Sequence, residues 1–264
     1  MDKKNIVIAN WKMNLSPDQS LNLAQEIIAQ LADLKPAKAE AILCPDFLSL
    51  SLVAEKITRF AESRREGSAA SLGAQNCFWE PSGAYTGEVS PQFLRELGCA
   101  YVIIGHSERR QYIKETDVQI NLKVKAALAN SLTPIICVGE TFAERQEGNK
   151  DFIISQQVGR ALENVKLLAD DQLIIAYEPV WVIGSGQAVA PEEAEHAHRV
   201  IRQVLIDHFS MPAVTDQIKI IYGGSVKPNI VRGFLSQPSI DGILVGGASL
   251  EAESFVELVK QANA

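Results

Sequence analysis

The sequence is short of clustered cysteines, of long apolar runs and of positive charge, and each shortage removes a class of protein. Its four cysteines, Cys44, Cys77, Cys99 and Cys137, are widely spaced, with no CxxC pair and no histidine run beside them. That spacing argues against a zinc site or a dithiol redox motif. Reduced thiols in the cytoplasm are the expectation instead. No apolar run approaches the roughly 18 residues that a membrane helix needs. Met1-Asp2-Lys3-Lys4 leads straight into a short apolar segment, so no signal peptide is expected and a cytoplasmic location is. Asp and Glu number 32 against 25 Lys and Arg, a net charge of −7. That balance argues against nucleic acid or an anionic membrane as partner. No linker, repeat array or low-complexity tract divides the chain.

What is there has an ordinary globular composition, 47% hydrophobic and 22% charged over 264 residues. An α/β barrel uses about 250 residues as one domain, so residues 1–264 are expected to form a single one. Short apolar runs recur at Asn5–Asn10, Ala39–Cys44, Ser71–Gln75, Tyr101–Ile104, Thr133–Val138, Leu173–Glu178, Gln217–Tyr222 and Ile240–Val245. They are rich in Ile, Val and Ala with little polar alternation, as strands buried on both faces are. Helical patterns lie between them. Ser16-Pro17 opens one that runs towards Leu34, with Ser16 as N-cap and Pro17 at the first helical position. Ser90-Pro91 repeats that start before Gln92–Leu97, and Gly98 ends the helix. Pro191-Glu192-Glu193 begins a long helix with acidic residues in its first turn. Alternating strands and helices imply right-handed crossovers and a parallel sheet. The count fits a closed (β/α)8 barrel, although an open doubly wound sheet has the same local pattern. Glu62–Ala70 reads as a loose link on the N-terminal face with solvated arginines.

Polar residues gather where the strands end, the rim on which barrel enzymes place catalytic groups. The first strand ends in Asn10-Trp11-Lys12. Alone, such a lysine is an ordinary surface charge. The fourth ends in Gly105-His106-Ser107-Glu108, and the last two residues predict a short helix starting at the histidine. A helix N-terminus disfavours an imidazolium, so His106 is expected neutral, as hydrogen-bond donor and proton shuttle. Arg109 and Arg110 read as structural ion-pair partners. The sixth strand ends in Glu178, where desolvation is expected to strengthen a carboxylate as base; ion pairing at the barrel rim is the plainer alternative. Behind it the apolar loop Pro179, Val180, Trp181, Val182, Ile183, Gly184, Ser185, Gly186 and Gln187 is costly to leave exposed and is expected to close as a lid. The last two strands end in Gly223-Gly224-Ser225 and Gly246-Gly247. Such turns let backbone N–H groups approach an anion. With Lys12 they give a local positive field in a negative protein.

The segments NWKMN, GAQN, GAYTGE, IGHSERR, CVGET, AYEPVW, YGGSV and DGILVGGAS resemble motifs of the triosephosphate isomerase family, in that family's order, from residue 9 to residue 249. The resemblance implies an isomerase of glycolysis and gluconeogenesis that interconverts dihydroxyacetone phosphate and D-glyceraldehyde 3-phosphate. Glu178 would move the proton between adjacent carbons. His106 would polarise the carbonyl and move protons between the two oxygens. Lys12 would stabilise the developing charge, with Asn10 positioning it and Glu108 behind it. Gly184, Ser225, Gly246 and Gly247 would hold the phosphate. The chemistry implied needs no metal or cofactor.

The resemblance also implies a homodimer, in which the loop carrying Tyr85 and Thr86 reaches into the partner. Two departures stand out. The lid has Val182 and Gln187 where AIGTGK is usual, and Ser63–Ser68 looks like extra length. The competing readings are another phosphate-binding barrel enzyme, or a non-catalytic barrel that binds a phosphate ligand. Either would be favoured by loss of Lys12, His106 or Glu178, and all three are present.

Overall fold

The computed structural model describes residues 5–34, 39–64, 69–185 and 187–263. Eight strands follow one another round a closed barrel: β1 (Asn5–Asn10), β2 (Ala39–Cys44), β3 (Ser71–Ala74), β4 (Tyr101–Ile104), β5 (Thr133–Val138), β6 (Leu173–Tyr177), β7 (Ile218–Tyr222) and β8 (Gly242–Val245). Every pairing is parallel, and β8 closes on β1 with Ile6 opposite Gly242 and Ala9 opposite Val245. The open-sheet alternative is therefore set aside. Alternate residues along each strand explain the unbroken apolar runs. Ile6, Ile8, Ile42, Cys44, Ile103, Ile135, Cys137, Ile174, Ala176, Ile221 and Leu244 fill the barrel interior. The intervening Val7, Ala9, Leu43, Val102, Ile104, Ile136, Val138 and Ile175 face the helices. The closing seam leaves no room for a side chain at Gly242, where a Cβ would stand 2.1 Å from the Ile6 carbonyl oxygen.

The outer layer is α1 (Pro17–Leu31), α2 (Leu50–Arg64), α3 (Pro91–Glu96), α4 (Asp117–Ala129), α5 (Phe142–Gln146), α6 (Lys150–Ala161), α7 (Pro191–His208), α8 (Met211–Asp216), α9 (Val231–Leu235) and α10 (Ala252–Ala262). Local chemistry sets their starts. Ser16 and Gln19 form a reciprocal capping box at α1, as Thr116 and Gln119 do at α4, and such a cap is worth about 1 kcal/mol. Ser90 caps α3, and Pro191 opens α7. α1 stops at Leu31, short of the expected Leu34, which leaves the helix and still packs against the core. Glu62 and Ser63 are helical, not loose, because Ile57 and Phe60 hold the end of α2 on the core. Residue 64 ends α2, Ala69 and Ala70 lead into β3, and 65–68 lie outside the described residues.

One buried titratable group ties this outer layer to the barrel. His198, fully buried on α7, donates from Nδ1 to the Ala194 carbonyl at 2.7 Å and stands edge-on to Tyr177 of β6. Burial pushes its pKa down from 6.5 to about 4, and the hydrogen bond to Ala194 and the charges of Asp241 and Glu195 offset only part of that. The folded protein thus binds fewer protons than the unfolded chain as pH falls from 6.5 towards 4. Stability present above that window is lost through it, by about 3 kcal/mol for one such group. Urea unfolding measured across this range should show a flatter acid limb for His198→Asn than for the parent. Parallel curves would remove His198 as an acid-sensitive group.

Candidate active site

The ends of β1, β4, β6, β7 and β8 surround one cavity of about 300 Å³, lined among others by Asn10, Lys12, His106, Glu178, Ile183, Gly184, Ser225, Gly246 and Gly247. After β1 the chain turns sharply, and Lys12 takes a left-handed backbone with φ +54°. That conformation costs a non-glycine residue about 1 kcal/mol or more and persists only where neighbours impose it. Here the Lys12 N–H donates to Asn10 Oδ1 at 3.1 Å, and Gln75 Nε2 donates to the Lys12 carbonyl at 2.9 Å. Asn10 therefore shapes the turn that aims the lysine. The Lys12 ammonium lies 2.5 Å from Glu108 Oε1. Gly246 makes room for it, since a Cβ there would stand 3.2 Å from Lys12 Cε.

After β4, His106 is buried, and a helical turn begins at the next residue, continuing as a π-helical segment over Arg109–Ile113. The Glu108 N–H points at His106 Nδ1 from 3.3 Å. Nδ1 is thereby an acceptor, so a neutral ring carries its proton on Nε2. Nε2 lies 3.1 Å from Glu178 Oε1, and the Ser107 N–H donates to Glu178 Oε2 at 2.9 Å. Two amides at the start of one helical turn thus orient both the imidazole and the carboxylate.

The two arginines stay out of the cavity. Arg109 Nε bonds Glu115 Oε2 at 3.0 Å, and buried Lys123 holds that same Glu115 together with Asn76 Oδ1 at 2.8 Å. Arg110 pairs with Asp117 at 2.7 Å and donates to the carbonyls of Gly105 and Cys137. Both serve as structural partners, bracing the segment that carries His106.

Glu178 is only 2% exposed, although it follows the last residue of β6. Its N–H donates to the Val138 carbonyl at 2.7 Å, and the Gly223 N–H donates to the Tyr177 carbonyl at 2.7 Å. A Cβ at Gly139 would stand 1.8 Å from the Glu178 carbonyl oxygen, so glycine is what permits this approach.

The segment after Glu178 is less exposed than its apolar sequence suggests. Pro179 and Val182 are buried, and Val180, Trp181 and Ile183 are half-buried. Trp181 Nε1 donates to Glu140 Oε1 at 2.9 Å, and the Arg145 guanidinium lies 4.5 Å from the indole centroid. Burial raises the pKa of Glu140, against hydrogen bonds from Trp181, its own backbone and Tyr177. Ser185 Oγ donates to the Val182 carbonyl at 2.8 Å and accepts from the Gln187 N–H at 3.1 Å, so Gln187 continues a turn at the tip. Gly184 and Ser185 are exposed, and Gly186 lies outside the described residues.

Sequence reasoning missed three features. Gln75 and Glu140 lie within GAQN and CVGET, but no spacing shows that one holds the lysine turn and the other anchors Trp181. Lys227 lines the cavity, and nothing in the pattern around it marks it.

A buried carboxylate–imidazole pair beside a lysine, with two glycine turns on the same rim, defines an acid–base enzyme on a closed (β/α)8 barrel. The family model described as Triosephosphate isomerase matches residues 5–262. The chain is 45% identical over 258 residues to the triosephosphate isomerase of Chlorobium luteolum, covering 98% of each chain. It is 44% identical over 257 residues to that of Caldanaerobacter subterraneus subsp. tengcongensis, covering 97% of this chain and 99% of the relative. The chain belongs to the triosephosphate isomerase family, and a non-catalytic barrel is no longer the favoured alternative.

Trp181→Phe removes the indole N–H and leaves the buried Glu140 carboxylate short of a donor. We expect a loss of about 1–3 kcal/mol in urea unfolding, the cost of an unsatisfied buried acceptor, together with faster proteolysis at residues 183–187. An unchanged midpoint and unchanged cleavage would show that this bond does not hold the segment.

Proposed function

We propose that this cavity interconverts dihydroxyacetone phosphate and D-glyceraldehyde 3-phosphate through an enediolate. The observation that carries the reading is the close approach of Glu178 and His106, 3.1 Å apart, joined in one cavity by Lys12 and the turns at Ser225 and Gly246-Gly247. Glu178 takes the proton from the carbon beside the carbonyl. His106 donates from Nε2 to the carbonyl oxygen and then moves a proton between the two oxygens. Glu178 returns its proton to the neighbouring carbon. Lys12 stabilises the charge on the oxygen as it develops, an interaction worth most in a site that excludes water. The phosphate is held by N–H groups of Gly184, Ser225, Gly246 and Gly247. Glu178 Oε1 and His106 Nε2 are only 3.1 Å apart, so the carboxylate swings away from Ser107 to admit a substrate carbon between them. Residues 179–187 act as a lid whose stem is pinned by Trp181 on Glu140 and whose tip, at Gly184, closes over the phosphate and keeps water from the intermediate. A coupled assay of the two triose phosphates tests the reading, and a folded protein with no activity in either direction would overturn it.

We further propose that the enzyme is a homodimer. Met13, Phe47, Leu48 and Tyr85 follow three adjacent strands and are 94%, 40%, 80% and 44% exposed. Exposed apolar side chains after neighbouring strands favour cover by another chain. Their position beside Lys12 lets the Tyr85–Thr86 loop brace a partner's site. No helix among the described residues is long and apolar enough to cross a membrane. Four buried, unpaired cysteines support a reducing compartment, the cytoplasm.

Glu178→Asp retracts the carboxylate by roughly 1 Å, a displacement that costs about 10²-fold. Steady-state assays should show that loss in kcat with the circular dichroism spectrum preserved, and full activity would remove Glu178 from the role of base. Charged replacements at both Tyr85 and Thr86 should give poorly active monomers in sedimentation. An unchanged, active dimer would end the assignment of this loop to the interface.

A further inference from the structure

The charged side chains lining the cavity are Lys12, Lys227 and Glu178. Lys12 is bound to Glu108 at 2.5 Å, so its charge is met within the protein before any ligand arrives. Glu178 adds a buried negative charge, and the whole chain carries −7. The lid offers no compensation, since residues 179–187 include no charged side chain and Gln187 stands where the family motif has lysine. A phosphorylated substrate therefore enters against the prevailing field, and of the two cavity-lining lysines Lys12 is already paired with Glu108. Lys227 is exposed and makes no ion pair with any other described residue.

Its backbone is held while its side chain is free. The Lys227 carbonyl accepts from the N–H groups of Ile230 at 3.1 Å and Val231 at 3.2 Å, tying it to the start of α9. Pro228 follows and restricts the residue before it to extended backbone. The stem thus leaves a fixed point two residues beyond Ser225, on the rim where the glycine turns present their amides.

We infer that Lys227 is a substrate-binding residue that adds a second cation to that of Lys12, capturing the substrate's phosphate from the solvent side while the backbone amides of the glycine turns hold it from within. The inference rests on the triose phosphate reading above. The ammonium acts on the phosphate and not on the reacting carbons, so it contributes to binding equally in ground and transition states. Such a contact appears in KM and leaves kcat in place.

The test compares the parent with Lys227→Gln and Lys227→Arg in both directions of the coupled assay, with inorganic phosphate as competitive inhibitor. For Lys227→Gln we expect KM and the phosphate Ki to rise together by about threefold to tenfold, the upper figure equal to about 1.4 kcal/mol. The turnover number should stay within about twofold, and the decline of kcat/KM with added salt should become shallower as an exposed charge is removed. Lys227→Arg should restore both constants, because it returns the charge. An active parent whose KM and Ki are unmoved by Lys227→Gln would overturn the assignment and leave the isomerase reading intact. So would equal changes in Lys227→Gln and Lys227→Arg, which would mark a role of shape, or a fall in kcat alone. A folded parent that does not isomerise would instead overturn the isomerase reading. Phosphate binding followed by ³¹P NMR would then decide Lys227 separately: weaker binding by Lys227→Gln than by the parent supports it, and equal binding overturns it.

Discussion

When Ile6–Ala9 pair with Gly242–Val245, the sheet has no free edge, and the C-terminal ends of β1, β4, β6, β7 and β8 are carried to one rim. The chemistry of the site follows from that closure. Residues as far apart in the chain as Asn10 and Gly247 line one cavity because the first and last strands are neighbours. The closure in turn depends on a barrel interior filled by alternate Ile, Leu, Ala and Cys side chains, and on a glycine at 242 where the backbones meet.

Within that frame the site is polar, buried and almost fully partnered. A carboxylate as enclosed as Glu178 is costly unless hydrogen bonds replace water; here the Ser107 amide donates one, and the His106 ring stands 3.1 Å away. The Glu108 amide on Nδ1 chooses the tautomer of that ring. Behind these groups stands a buried scaffold of Arg109, Glu115, Lys123 and Asn76. It makes no contact with the cavity, yet it fixes the helical turn that supplies both amides. The reactive groups are thus held by backbone and by ion pairs outside the cavity.

The segment over the cavity divides the same labour differently. Its stem is fastened through Trp181, Glu140 and Arg145, and its tip is exposed around Gly184 and Ser185. Electrostatically, Lys12 and Glu108 largely satisfy each other. Lys227 stands exposed at the edge of the same cavity, in a chain whose net charge is −7.

The strand runs were legible in the sequence because a strand buried on both faces must be apolar throughout, and β1, β2, β4 and β5 begin and end where the patterning placed them. Helix starts were legible too, where Ser16, Ser90 and Pro191 satisfy or dispense with the first amides. The motif residues at strand ends were legible as a group. The exposure of the loop after Glu178 was not, because the burial of Val182 and the docking of Trp181 depend on Glu140, which lies about forty residues earlier and meets the loop only when β5 and β6 pair. Nor was the place of Lys227, since a lysine after a turn looks the same in sequence whether it faces solvent or a cavity. The sequence by itself determined the elements, their order and the kinds of side chain at their ends, because those depend on local periodicity and capping. The tertiary structure decided which of those side chains share one cavity, which carry their charge into it and which are neutralised on the way, because distance between strand ends is set by barrel closure and not by separation along the chain.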